Sequence, residues 1–83
     1  MTSGGRVVVG VIEDAIRAYV VAHPGAADNA AGIQKWWLPS HLANGPSADV
    51  EAALVALLGA GVLRELHLPD GHVAYTAAHA KSG

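Results

Sequence analysis

Apolar residues recur along this chain with two different periods. Over residues 7–23 they fall mainly three and four apart. Val8, Ile12, Ala15, Ile16, Tyr19 and Val20 make one stripe, and Pro24-Gly25 ends the run. That spacing predicts an amphipathic helix stopped by proline and glycine. The β-branched run Val7-Val8-Val9 before Gly10 would also suit a short strand, so the start of the helix stays open. Glu13, Asp14 and Arg17 lie mostly off the stripe, but so do Val7, Val11, Ala18 and Val21. The predicted helix is therefore apolar round more of its circumference than a surface helix ordinarily is. Either small aliphatic side chains tolerate water there, or another chain covers them.

A second helix is predicted from an N-cap at Asp28 to Leu38, ended by Pro39. On it Ala30, Ile33 and Trp37 share a face, Trp36 sits at the edge, and Gln34 and Lys35 point away. Consecutive helical residues are about 100° apart, so a small domain cannot easily bury both tryptophans. Either both belong to the core, with one capping its rim, or Trp36 is an anchor for a partner, as tryptophan often is in binding hot spots. Residues 39–46, with two prolines and Asn44-Gly45, read as an ordered loop in which His41 and Leu42 could make one helical turn.

Ser47 is the expected cap of a third helix, with Asp49 complementing the dipole in its first turn. Val50, Ala53, Leu54, Leu57 and Leu58 form its core stripe, and Gly59 and Gly61 supply the stop. Beyond them the period changes to that of a hairpin around Pro69-Asp70-Gly71. A three-residue loop is predicted, with Pro69 and Asp70 in a type I turn and Gly71 left-handed. The two-residue Asp-Gly turn would need the N–H that Pro69 lacks. The three-residue register divides the apolar positions between faces and leaves some of Leu66, Leu68, Val73 and Tyr75 exposed.

The motif VEAALVALLGAGVLREL, then PDG, then VAYT, resembles the last helix, the leucine–leucine–glycine–leucine corner and the wing of winged helix-turn-helix domains. The resemblance spans roughly residues 12–76 and is strongest over residues 47–76. It implies an α+β, mainly α fold: three helices plus a C-terminal two-stranded wing, occupying residues 7–76. Residues 1–6 are then a disordered tail and residues 77–83 a flexible one. The family pattern also implies that the outward face of the third helix, Glu51, Ala52, Val55, Ala56 and Gly59, reads DNA. None of these can donate to a phosphate or make a bidentate contact to a purine. Glu51, near Asp49, would repel the backbone. The loop at residues 39–46 is also longer than the roughly 3–4-residue turn of a DNA-inserting unit.

Charge points the same way. Five Lys and Arg against seven Asp and Glu leave a net charge of −2, with no electrostatic footprint for nucleic acid or an anionic membrane. Candidates for nucleic-acid contact reduce to Lys35, Arg64, His67, His72 and Lys81, with Arg64 offset by Glu65 and Asp70. Protein contact has better candidates in Trp36, Ala52, Val55, Ala56, Gly59, Val11 and Ala18. The expected function is a non-enzymatic interaction module that binds itself, as a homodimer, or another protein. A small DNA-binding regulator using wing and loop is the alternative.

The remaining chemistry is sparse. There is no cysteine, and no two of the five histidines have the helical spacing of a zinc site. Hairpin histidines exposed to water are expected instead. No Gly-rich phosphate loop, nucleophile elbow or paired acids mark an enzyme, and neither a cofactor nor a small-molecule substrate is implied. The residues are 52% hydrophobic with a mean hydropathy of +0.32, yet no run is long enough for a membrane span. The N-terminus makes a poor signal peptide, so a cytoplasmic location is the default. A fragment of a larger protein, whose remainder covers the excess apolar surface, is a third possibility.

Overall fold

The computed structural model describes residues 3–78, with side chains from Val7 onward. Within them the chain is a mainly helical α+β unit of four helices and a three-stranded antiparallel sheet. Helix α1 (Ser3–Ala22) leads to a short strand β1 (Ala27–Asp28). Helix α2 (Ala30–Gly32) then runs on into a π-helical turn over Ile33–Trp37. A single-turn α3 (Ser40–Ala43) precedes α4 (Ser47–Gly59). Strands β2 (Leu63–His67) and β3 (Val73–Ala77) close the fold, in the spatial order β1-β3-β2.

The core lies where α1 and α4 pack against each other. Ile12, Ile16 and Val20 meet Val50, Ala53, Leu54 and Leu57, and Ile33, Trp37, Leu38 and Leu63 close the cluster. The π turn explains how one short segment supplies three of these. In a turn closed by i→i+5 bonds, residues four and five ahead straddle the same direction, so Ile33, Trp37 and Leu38 all face inward. Trp37 stacks on Tyr19 at 4.7 Å between ring centroids and 11° between planes. Trp36 is turned out to water.

The end of α4 follows the sequence expectation in detail. Val62 N–H donates to Leu57 C=O at 3.0 Å and Gly61 N–H to Leu58 C=O at 3.2 Å, the paired bonds of a Schellman stop. Gly61 is the residue that must turn left-handed, and its φ is +78°. The hairpin also has the expected three-residue loop. His67 faces Val73, Leu68 N–H donates to His72 C=O at 2.8 Å, and Gly71 has a φ of +92°. As that register implies, Leu68 is exposed and Leu66, Val73 and Tyr75 are half-buried.

Other expectations are corrected. Helix α1 begins at Ser3, so the helical alternative wins at Val7-Val8-Val9 and residues 3–6 are helix rather than tail. Residues 77–78 are not tail either: Ala77 pairs with Leu63, and Ala78 N–H donates to Val62 C=O at 2.9 Å. Met1, Thr2 and residues 79–83 lie outside the described residues. The cap of α2 is Asn29, whose side chain accepts from Gly32 N–H at 2.8 Å. Asp28 is instead drawn into β1 opposite Tyr75, and its carboxylate accepts from Asn29 N–H at 2.8 Å. Ser47 is the first residue inside α4 and makes no capping bond; Pro46 precedes it. Gln34 does not point away. Its Nε2 donates to Ala43 C=O at 3.0 Å and Gly45 C=O at 2.9 Å, tying the π turn to the loop before α4. Finally, the sheet has a third strand that the two-stranded wing lacked. Thr76 Oγ1 fastens it by donating to Ala26 C=O at 2.7 Å.

Candidate functional site

On α4 the buried and exposed residues separate as the helical period requires. Val50, Ala53, Leu54 and Leu57 are buried, whereas Glu51, Ala52, Val55, Ala56 and Gly59 are all exposed. Leu58, expected in the core stripe, is half-buried at its edge. The outward face is therefore a smooth apolar strip with one acid near its start, and Val55 is 68% exposed on it.

Helix α1 presents a second apolar surface. Its expected back, Val7, Val11, Ala18 and Val21, is exposed throughout, with Val21 at 81%. Val8 was expected on the core stripe but is also exposed, and Val9 packs on the core in its place. The buried stripe is thus shifted by one residue at its N-terminal end. Val21 borders a shallow hollow of about 310 Å³ with Val20, Pro24, Gly61, Val62 and Ala77.

Trp36 is 67% exposed. Lys35 Nζ lies 5.1 Å from its ring centroid, within reach of a cation–π contact. The candidate protein-contact residues thus lie on three elements: Val11 and Ala18 on α1, Ala52, Val55, Ala56 and Gly59 on α4, and Trp36 on the π turn.

Of the nucleic-acid candidates, Arg64, His67 and His72 lie on the β2–β3 hairpin and Lys35 on the π turn, and they are partly occupied. His67 Nε2 is 3.2 Å from Glu65 Oε1, and His72 Nδ1 is 2.9 Å from Asp70 Oδ2. Lys35 is engaged with Trp36, Arg64 is exposed on β2, and Lys81 lies outside the described residues. The His72 side chain, and after it the His72 backbone N–H at 3.0 Å, hold the Asp70 carboxyl below its ordinary value of 3.8. A depressed carboxyl adds stability that is present above the unfolded value and is lost as pH falls through the folded one. For Asp70, fully exposed, that window lies below 3.8 and the effect on the fold is small. An NMR titration of the Asp70 carboxyl carbon should give a midpoint below 3.8. His72→Ala should raise it only part of the way back, because the backbone donor survives. An unchanged midpoint would remove the imidazole from the account.

Among the described residues no group of three or more His, Asp or Glu could hold a metal ion. No described helix is long and apolar enough to cross a membrane. Compared with protein-family models, with curated proteins and with solved structures, the chain matches none.

Proposed function

We propose that this chain is a winged-helix module that binds protein rather than nucleic acid, and that it associates with itself through apolar helix faces. The order helix, strand, helices, then a hairpin whose last strand sits between the other two, supports the winged-helix reading. The observation that carries the function is the outward face of α4. In a DNA reader that face bears the side chains that reach bases and phosphates. Here it offers Ala52, Val55, Ala56 and Gly59 to solvent beside Glu51. Burying such a surface against another protein removes apolar area from water; laying it on a phosphate backbone gains no ion contact.

The test is oligomeric state and DNA affinity on one preparation. Sedimentation at tens of micromolar should show a dimer or larger species. A gel shift at low salt should show no retardation that Arg64→Ala weakens. A monomer that retards DNA in a salt- and Arg64-dependent way would transfer the chain to the regulator class.

A further inference from the structure

We propose that α1 is the self-association element, and that two copies pair their α1 helices antiparallel about a two-fold axis near Ala15. This rests on the self-association reading above and adds the face, the orientation and the register.

Val8, Val11, Ala15, Ala18 and Ala22 follow one another at intervals of three, four, three and four residues. That alternation is the seam of a helix pair packing knobs into holes. At about 100° per residue the seam lies roughly a third of a turn round from the buried stripe of Ile12, Ile16 and Val20, and of its five residues Ala15 alone is half-buried against the core. Val8 is 39% exposed and Val11 44%; Ala18 and Ala22 are exposed and Ala15 is half-buried.

The distribution of size along the seam says what covers it. Its N-terminal half is valine and its C-terminal half is alanine. A parallel copy would set valine on valine at one end and alanine on alanine at the other, forcing the helices apart at the first and leaving a gap at the second. An antiparallel copy sets Val8 against Ala22 and Val11 against Ala18, large against small in the four outer layers, with Ala15 meeting Ala15 at the centre. The interface is then isologous and closes at two copies.

The valines that flank the seam select the same orientation. Val7 and Val21, 64% and 81% exposed, sit on one edge of the seam at its two ends. Antiparallel pairing keeps these edges together, so that Val7 of one copy meets Val21 of the other. A parallel pair would carry the two edges to opposite sides of the seam, leaving the exposed valines at both ends in water. Two helices of about 30 Å bury less than the roughly 1,600 Å² of a standard interface. The dimer should therefore dissociate in the micromolar range.

The chain has no cysteine, which makes the register directly testable. Val8→Cys and Ala22→Cys are prepared separately, checked for helix content by circular dichroism, mixed in equal amounts in a thiol redox buffer and weighed by non-reducing mass spectrometry. The mixed disulfide should exceed either homodisulfide about tenfold. Val11→Cys with Ala18→Cys carries the same expectation if position 8 disturbs the helix. Excess homodisulfide, a statistical mixture, or no disulfide from a chain that still sediments as a dimer overturns the antiparallel α1 seam while self-association stands. Unsubstituted chain that is monomeric at tens of micromolar overturns both.

Discussion

Trp37→Ala should remove a large part of the domain's stability, while Trp36→Ala, one residue earlier, should leave it nearly unchanged. Trp37 is 6% exposed, stacks on Tyr19 and closes the cluster made by α1 and α4. Removing a buried aromatic side chain of this kind costs about 3–5 kcal/mol in lost transfer energy and an unfilled cavity. A domain of 83 residues has only about 4–12 kcal/mol in total, at roughly 0.05–0.15 kcal/mol per residue. The stacked Tyr19 ring, also in contact with His23 at 4.5 Å between centroids, loses its other partner. Trp36 is mostly in water and its contact with Lys35 is worth about 0.5–1 kcal/mol at such a site. Urea denaturation followed by far-ultraviolet circular dichroism avoids the loss of a fluorescent probe. Equal midpoints for the two variants would contradict the inward placement of Trp37.

Val11→Asp should turn a dimeric chain monomeric without disturbing the fold. On a two-fold interface one substitution acts twice. The loss of buried valine area, about 1–1.5 kcal/mol at each copy, amounts to roughly a 30- to 150-fold rise in Kd before any cost of desolvating the carboxylate. Val11 is 44% exposed in the single chain, so thermal unfolding of the dilute protein should move little. Sedimentation velocity at tens of micromolar reads the change. A Val11→Asp chain that stays dimeric would exonerate α1 and direct attention to Val55 on α4.

What could be read ahead of the structure was whatever short-range pattern decides alone. The stripe Val50, Ala53, Leu54 and Leu57, the stop at Gly61 and the turn at Pro69-Asp70-Gly71 are each fixed within a few residues, and each was legible. What failed depends on neighbours far along the chain. Ala27 and Asp28 have no strand pattern of their own and become β1 only because β3 supplies their hydrogen bonds. That pairing moves Asp28 out of reach of the cap position and passes the role to Asn29. Gln34 looked like a solvent-facing residue because its acceptors, Ala43 and Gly45, belong to a loop that returns to it only after the chain folds. The widened turn at Ile33–Trp37 left no composition signal, and it was what settled which tryptophan faces in. Of the candidate site, the exposure of the α4 strip and of Val7, Val11, Ala18 and Val21 was legible from periodicity. The 3-4-3-4 seam was also in the sequence, but Val8 and Ala15 hid it by fitting the core stripe as well, and only the exposure of Val8 assigns that residue to the outer face.

The strand order β1-β3-β2 has a consequence for how the chain comes off the ribosome. Both outer strands pair with β3, and β3 is the last of the three to be synthesised. Until Val73–Ala77 clears the exit tunnel, β1 and β2 have no partner, and the helices must hold the nascent chain by themselves. Synthesis paused before Val73 would expose two unpaired strand edges together with the apolar outer seam of α1, and that interval is when aggregation competes hardest with folding.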